Sequence, residues 1–105
     1  MIEMFKLLAD SNRFKIFTML LYDEFCVCDI ERFLHLKQAN VSKHLKFFKD
    51  MSLLKTRHEG KWVHYGLANN TMKTYRDLIS QIKKDSVCIE LMNELKKFDK
   101  SQCHR

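Results

Sequence analysis

A chain of 105 residues with 46% hydrophobic content can bury one modest core, so we expect a single domain over residues 1–105. The absence of proline and the presence of only two glycines exclude a turn-rich all-β chain and favour helices joined by short polar turns. No apolar run approaches the ~18 to 20 residues that cross a bilayer, and the N-terminus does not resemble a signal peptide. We therefore expect a cytoplasmic protein with no membrane partner.

The formal net charge of +6 is concentrated in one stretch of the sequence. Residues 37–65 contain seven lysines and arginines against two acidic residues, whereas the rest of the chain is nearly balanced. Such a stretch is typical of phosphate binding, but a solvated lysine-rich face gives the same composition. Charge alone leaves both interpretations open.

The first third of the chain predicts three helices. Ile2, Phe5 and Leu8 recur at helical spacing, and the polar residues 10–12 offer caps for a second helix that carries Phe14 to Leu21. Residues 22–27 are short and apolar between acidic residues, which favours an edge strand or an extended connector. Asp29 is then placed to cap a short helix over residues 30–34.

The remaining elements complete a mainly α fold with a small β-hairpin. A helix is predicted at about residues 38–51, a hairpin at about 53–67 around Gly60, and further helices at about 71–98, with Asn70 or Thr71 as a cap and a break at residues 85–86. The two ends of the chain carry long apolar stripes. Because a core of this size is only marginally stabilising, we expect a homodimer that packs through the first and last helices.

The short helix, a tight turn and the following helix have the proportions of a helix-turn-helix, and the hairpin then forms its wing. In that motif the second helix enters the major groove, where Gln38 and Asn40 can bond adenine and Lys43 or His44 can reach guanine or phosphate. Asn and Gln at helix starts are also common local caps. Pattern, charge and hairpin together favour binding of double-stranded DNA through Lys37, Gln38, Asn40, Ser42, Lys43, His44, Lys46, Arg57 and Lys61.

Four motifs follow one another from the first helix to the wing: LADSNR at residues 8–13, EFCVCDI at 24–30, QANVSKHL at 38–45 and RHEGKWVHY at 57–65. In this order they resemble the motifs of the ArsR/SmtB repressors. The resemblance implies a homodimeric winged-helix repressor that releases an operator when a metal or metalloid binds. The chain departs from the family pattern at His35 and Ser52, where glycine is usual, and at Lys37, where a capping serine is usual.

Cys26 and Cys28 are the candidate sensing residues. In a chain of this class we expect reduced thiols, and in an extended segment both sulfurs of a CxC pair face the same side and can hold one soft ion. Ordinary buried cysteines are the alternative. The surrounding box resembles the CVCD box of arsenic- and antimony-responsive members of the family, which implies As(III) or Sb(III) as the inducer, although another soft metal ion can suit two thiols.

The third ligand is left open by the sequence. Arsenic-responsive members often carry a third cysteine where this chain has Glu31. Cys103 on the polar tail can fold back towards the pair, Cys88 falls on an apolar stripe that favours a core position, and an exogenous ligand can complete the site.

Several rival functions share some of these features. A cadmium-, lead- or zinc-responsive repressor of the same fold and a thiol-redox-responsive repressor both use cysteines or nearby ligands. A thiol enzyme such as an arsenate reductase needs a phosphate-binding loop or an activated cysteine beside an arginine, and the glycines here lie in the hairpin. We therefore predict a regulator and not an enzyme.

Overall fold

The computed structural model describes residues 2–100 and contains seven helices and one hairpin over that range. In chain order the elements are α1 (Ile2–Ala9), α2 (Ser11–Tyr22), α3 (Val27–Leu34), α4 (Gln38–Asp50), β1 (Leu54–Glu59), β2 (Trp62–Leu67), α5 (Asn69–Thr74), α6 (Arg76–Ile82) and α7 (Ser86–Leu95). The prediction of a mainly α fold with a small β-hairpin is confirmed. No helix among these residues is long and apolar enough to span a membrane.

The junction of α1 and α2 is fixed by local polar contacts. Asp10 is the N-cap of α2, and its carboxylate accepts a hydrogen bond from the backbone N–H of Arg13 at 3.0 Å. The Arg13 side chain in turn donates from Nε to the carbonyl of Leu7 at 2.8 Å. The same tight turn therefore begins α2 and binds a carbonyl at the end of α1.

The start of α3 differs from the prediction. The helix begins at Val27 with Cys26 as its N-cap, so the predicted start at Ile30 and the predicted cap at Asp29 are wrong. Asp29 is instead the third helical residue, and its carboxylate bonds back to the N-cap backbone as in a capping box. Of the two alternatives predicted for residues 22–27, the structure has the extended connector, at residues 23–26, with a single antiparallel bridge between Phe25 and Tyr65.

The turn between α3 and α4 has the geometry that a helix-turn-helix requires. His35 ends α3 in the left-handed region, with φ 56° and ψ 45°, at the position where the family usually has glycine. The backbone N–H of Leu36 then bonds to the carbonyl of Glu31 at 3.1 Å, which closes the turn. Lys37 is the N-cap of α4 and makes no side-chain cap. The predicted helix at residues 38–51 is confirmed within one residue.

The wing is a two-stranded antiparallel hairpin in which Glu59 pairs with Trp62 across Gly60 and Lys61. Gly60 has φ 58°, as predicted for the turn. Ser52 also has a positive φ of 57°, which turns the chain out of α4 towards β1. The predicted hairpin at residues 53–67 is confirmed.

The C-terminal region consists of three short helices and not of two long ones. Ala68 is the N-cap of α5, so the predicted caps Asn70 and Thr71 are wrong, and the Thr71 hydroxyl instead donates to the carbonyl of Leu53 at 2.9 Å. Tyr75, with φ −108° and ψ 25°, separates α5 from α6. Asp85 caps α7 through hydrogen bonds from the first turn, as the predicted break at residues 85–86 requires.

The core is organised around α2, which packs against α1, α3, α7 and β2. Phe17 of α2 stacks on Phe48 of α4 with ring centroids 6.3 Å apart, and both side chains are fully buried. This contact seats the helix-turn-helix on the centre of the fold. The face of α4 opposite Phe48 is therefore held towards solvent.

Candidate functional site

The exposed face of α4 carries most of the residues predicted to contact DNA. The core side of the helix is formed by Val41, Leu45 and Phe48, which are buried. The opposite side exposes six of the predicted residues, including the N-cap: Lys37, Gln38, Asn40, Ser42, Lys43 and Lys46. The structure thus brings these six side chains together at the start and along one face of a single helix.

The only ion pair that the described residues show on this face is weak and leaves the lysine available. Lys46 Nζ lies 3.2 Å from Asp50 Oδ2, and both side chains are well exposed. Exposed pairs of this kind contribute about 0.2 to 1 kcal/mol, so a phosphate can replace the carboxylate at little cost. Beside them Phe47 is 43% exposed, and the guanidinium of Arg13 covers its ring at 4.5 Å.

His44 is not on the exposed face. It is partly buried, and its Nδ1 atom is buried without a hydrogen-bond partner. Burial lowers the pKa of His44, and the positive charges of Arg13 and Lys43 act in the same direction while Asp10 opposes them. The geometry places this predicted DNA contact against the junction of α1 and α2.

The wing presents one of its two predicted DNA contacts freely and holds the other within the protein. Lys61 is exposed at the hairpin turn, with its Nζ 5.5 Å from the Trp62 ring centroid. Arg57 instead donates from Nε to Glu24 Oε1 at 2.8 Å and lies 3.5 Å from Glu59 Oε2. Its guanidinium therefore joins the wing to the segment that precedes α3.

Cys26 is a buried thiol at the very start of the helix-turn-helix. Its Sγ atom lies 3.1 Å from Asp29 Oδ2, and the same oxygen accepts the backbone N–H of Cys26 at 3.1 Å. Burial raises the pKa of the Cys26 thiol, and the neighbouring Asp29 carboxylate raises it further. The resting state of this residue is thus a protonated thiol that donates to a carboxylate.

Asp29 is fully buried, and Arg32 is the cation beside it. Asp29 Oδ1 lies 3.7 Å from Arg32 Nη1 and has no hydrogen-bond partner of its own. A buried carboxylate is costly unless it is compensated, and here the compensation comes from the helix start, the cation and the two Cys26 donors. Sequence reasoning assigned Asp29 only as a cap, although its position three residues after Cys26 is the signal of a capping box.

Cys28 lies in the first turn of α3 and is partly buried. The argument that both sulfurs face one side of an extended segment is therefore wrong, because only Cys26 has extended backbone and Cys28 is helical. The expectation of a reduced thiol also fails for Cys28, whose sulfur is disulfide-bonded in this structure. The prediction of reduced thiols rested on the class of protein, whereas formation of a disulfide depends on whether the fold brings two cysteine sulfurs close together.

The other two cysteines differ in what can be said of them. Cys88 is fully buried among the residues of the core cluster, which confirms the core position. Cys103 lies outside the described residues. Within residues 2–100 there is no group of three or more His, Cys, Asp or Glu side chains that could hold a metal ion. The described part of the chain thus offers Cys26 as a free thiol beside the start of α3, and Cys28 becomes a second soft donor only once its disulfide is reduced.

Residues 96–100, which we call the C-terminal strap, pack over this site and were not anticipated from the sequence. The Phe98 ring contacts Phe25 and Phe33 at centroid distances of 6.2 Å and 5.2 Å. The guanidinium of Arg32 covers the Phe98 ring at 4.7 Å and donates to the carbonyl of Asp99 at 3.0 Å. The strap therefore closes the outer side of the segment that carries Cys26.

Lys100 fixes the end of the strap to the residues that precede Cys26. Its Nζ atom lies 3.0 Å from Asp23 Oδ2, 2.9 Å from the carbonyl of Glu24 and 5.0 Å from the Phe25 ring centroid. Burial acts to raise the pKa of Asp23, but the hydrogen bonds that its carboxylate accepts from Lys100 and from the Glu24 backbone, together with the positive charge of Lys100, lower it overall. Lys100 thus holds the end of the strap to residues 23–25 through polar contacts and a cation–π contact.

Comparison with known proteins gives a consistent family. The profile described as "Bacterial regulatory protein, arsR family" matches residues 10–56. The arsenical resistance operon repressor of Escherichia coli is 43% identical over 68 residues, which cover 64% of this chain and 58% of that protein. The cadmium resistance transcriptional regulatory protein CadC of Listeria innocua is 34% identical over 77% of this chain and 69% of its own length. The chain thus spans somewhat more than half of some of these relatives.

Solved structures show the same architecture. HlyU from Vibrio cholerae superposes with a TM-score of 0.66 at 28% identity and covers 80% of this chain and 91% of its own. Mb0332 from Mycobacterium bovis, described as a homodimeric winged helix-turn-helix DNA-binding domain, gives a TM-score of 0.62 at 19% identity, over 80% of this chain and 82% of that one. The fold is the winged helix-turn-helix, and relatives and fold are those of transcriptional regulators and not of enzymes. The chain belongs to the ArsR family of bacterial regulatory proteins.

Proposed function

We propose that this protein is a transcriptional repressor that binds a pseudo-palindromic operator and releases it when trivalent arsenic or antimony binds at Cys26 and Cys28. The observation that carries the proposal is the position of these two cysteines. They begin α3, the first helix of the helix-turn-helix, and the segment before them is joined to the wing. A ligand at this point acts on both DNA-contacting elements.

The DNA half of the proposal is supported by the exposed face of α4. Gln38 and Asn40 stand in the first turn, where bidentate bonds to adenine are possible, and Lys43 can reach guanine or phosphate. The phosphate contacts fall to Lys37, Lys46 and the wing residue Lys61, with Ser42 beside them. Arg57 is bonded to Glu24 within the protein and His44 is partly buried, so neither of these two residues supports it.

The DNA half is tested by selecting a binding duplex from a random library and measuring affinity by fluorescence anisotropy. We expect Asn40→Ala to weaken binding to the selected duplex by about 1 to 3 kcal/mol, while the affinity for random duplexes stays the same. Gln81→Ala, an exposed amide on α6, is the matched control and should have no effect. Equal losses for selected and random duplexes would remove α4 as the reading helix.

Dimerisation through the first and last helices is supported by exposed apolar residues at both ends. Ile2 and Phe5 on α1 are 71% and 55% exposed, and Val87 and Ile89 on α7 are 43% and 47% exposed. We expect Phe5→Asp to give a monomer in sedimentation velocity and to lose operator affinity. Met72→Asp on α5 serves as the control, and a wild-type monomer at micromolar concentration would refute the dimer.

The metalloid half depends on two thiols and a third ligand. As(III) and Sb(III) are thiophilic, so two cysteines at one helix start suit them better than a hard cation. The strap anchors Lys100 against Asp23, and a chain of three residues reaches about 10 to 11 Å at most. Cys103 follows Lys100 by three positions in the sequence, and we propose it as the third ligand, with an exogenous thiol as its substitute.

A physical route from binding to release runs through the capping box. A bound metalloid needs Cys26 as thiolate, so the proton that now bonds to Asp29 must leave and the buried carboxylate must find a new partner. That change falls at the first turn of α3. Because the recognition helices of a dimer must sit ~34 Å apart to enter successive major grooves, a small rotation of each opposes binding.

The metalloid half is tested with the reduced protein, since a sulfur in a disulfide is not a ligand. Arsenite should lower operator affinity by about 5- to 150-fold, the usual range of coupling between two sites. Cys26→Ser and Cys28→Ser should keep DNA binding and lose release, whereas Cys88→Ser, a buried control on α7, should respond as the wild type does. Arsenic X-ray absorption, with and without Cys103→Ser, then distinguishes three sulfur ligands from two.

A thiol-redox response is the second candidate, because Cys28 is disulfide-bonded in this structure. In that case oxidation without any metal should release the operator, and a reductant should restore binding. Cadmium is a further inducer to compare, since one relative is named a cadmium resistance regulator. These alternatives are separated by measuring the operator affinity of the reduced protein with arsenite, antimonite or Cd²⁺, and that of the oxidised protein without any added metal.

A further inference from the structure

We propose that Glu24 and Arg57 form a positioning pair that fastens the wing to the thiol segment, so that a change at Cys26 is transmitted to the hairpin. The proposal rests on the proposed function and deepens it. It assigns Arg57 to contact within the protein and not to phosphate. Glu24 is two residues before Cys26, whereas Arg57 lies in the middle of β1.

The side chain of Glu24 is held by both strands of the wing. Its Oε1 atom accepts from Arg57 Nε of β1 at 2.8 Å. The rest of the side chain lies across Gly66 of β2, where an added Cβ would sit only 3.2 Å from Glu24 Cγ and 3.2 Å from Lys55 Cε. Gly66 is buried and has no side chain, which leaves the space that Glu24 occupies.

The backbone beside Glu24 is joined to the wing as well. The N–H of Phe25 bonds to the carbonyl of Tyr65 at 3.0 Å, and the N–H of Tyr65 bonds to the carbonyl of Phe25 at 2.8 Å. Such a reciprocal pair is the hydrogen-bonded unit of an antiparallel ladder. Side chain and backbone thus fasten the segment to β1 and β2 respectively, and Cys26 follows directly.

Glu24 and Arg57 carry opposite charges and form a direct ion pair. The hydrogen bond that Arg57 donates to Glu24 lowers the pKa of Glu24, with the positive charge of Arg57 acting in the same direction, and the same bond raises the pKa of Arg57. Arg57 is half-exposed, so the pair adds little to global stability. Its contribution is geometric, because it adds a side-chain contact to the two backbone hydrogen bonds by which Phe25 joins the segment to the wing.

A direct phosphate contact by Arg57 predicts different behaviour. If Glu24 merely competes with phosphate for the guanidinium, Glu24→Gln should strengthen DNA binding and Arg57→Gln should weaken it and reduce the salt slope by about one. If the two residues act as a pair, both substitutions should have the same effect. The double variant should then be no worse than either single variant.

Trp62 provides a readout on the wing itself, since it is the only tryptophan in the chain and begins β2. We expect arsenite loading of the reduced wild type, verified by mass spectrometry, to change Trp62 emission in the absence of DNA. Glu24→Gln and Arg57→Gln should each bind arsenite as tightly as the wild type but lose most of that change. The ratio of operator affinities without and with arsenite should fall at least about threefold.

Two matched controls lie on the same wing. Glu59→Gln removes the other carboxylate near Arg57 without releasing the thiol segment, and His58→Gln replaces an exposed side chain of β1 next to Arg57. Both should keep the wild-type emission change. Arg57→Lys, which retains the charge and one donor, should recover part of it.

The outcomes separate the two proposals. If loading of Cys26 leaves Trp62 emission unchanged in the wild type, or changes it equally in Glu24→Gln and Arg57→Gln, the positioning pair is refuted. If emission changes as expected and operator affinity does not, the pair stands and the proposed release mechanism fails. Opposite effects of the two substitutions on DNA affinity would assign Arg57 to phosphate and overturn the proposal.

Discussion

Replacing Phe98 with alanine removes the aromatic centre of the C-terminal strap. A fully buried phenylalanine costs about 3 to 5 kcal/mol on truncation, and Phe98 is half-buried. Its two ring contacts with Phe25 and Phe33 add about 0.5 to 1.5 kcal/mol each beyond area, and the Arg32 guanidinium adds about 0.5 to 1 kcal/mol. Half of the full truncation cost and the lower limits of these contact energies together give about 3 to 4 kcal/mol, by which we expect Phe98→Ala to lower the free energy of unfolding.

The assay is urea unfolding at one fixed protein concentration, because dimerisation would make stability depend on concentration. Lys97→Ala, an exposed neighbour in the strap, is the control and should stay within about 0.5 kcal/mol of the wild type. Release of the strap should also speed alkylation of Cys26, which is now 2% exposed. A loss below about 0.5 kcal/mol with unchanged Cys26 reactivity would show that the strap does not pack on α3 in solution.

Three further predictions concern the thiol segment and α4. Cys26→Ser should leave the free energy of unfolding within about 1 kcal/mol of the wild type, because serine is a better N-cap and can keep its bond to Asp29; a larger loss in urea unfolding would argue against the capping box. The lowered pKa of His44 means that the unfolded state takes up the proton first, so stability should fall as the pH drops through about 6.5, and less so in His44→Gln. If the urea midpoints of the wild type and His44→Gln changed by the same amount from pH 7.5 to 5.5, this prediction would be contradicted. Lys43→Gln and Lys46→Gln should each reduce the salt slope of DNA binding by about one, whereas Lys83→Gln beyond α6 should leave it unchanged; identical slopes for all three would place the phosphates elsewhere.

The helix-turn-helix and the wing could be predicted because their signals are local. The apolar spacing of Val41, Leu45 and Phe48 sets the buried face of α4, and Gly60 marks the hairpin turn. The left-handed turn at His35 is likewise a local feature, since histidine adopts that conformation more readily than most residues. Each of these features depends on residues within one or two turns of chain.

The features that sequence reasoning missed depend on distant contacts or on equivalent local choices. Asp29 fits the sequence pattern of an N-cap and of a capping-box acid equally well, and the structure selects the second. Thr71 looked like a cap, but its hydroxyl is taken by the carbonyl of Leu53, which is 18 residues away. The strap over Cys26 and the pair of Glu24 with Arg57 join residues 33 or more positions apart, and no periodicity reveals them.

The first turn of α4 lacks a side-chain N-cap. Lys37 makes no side-chain cap, so its side chain accepts no hydrogen bond from the first amides of α4, the helix end at which a DNA phosphate would arrive in the proposed complex. A capping side chain is worth about 0.5 to 2 kcal/mol, so the free protein gives up that stability. Operator DNA would act as the missing cap, and folding of this helix and binding of its target would then be thermodynamically linked. Hydrogen exchange of the backbone amides of residues 38–50, measured with and without operator DNA, would show this linkage as extra protection of the first turn.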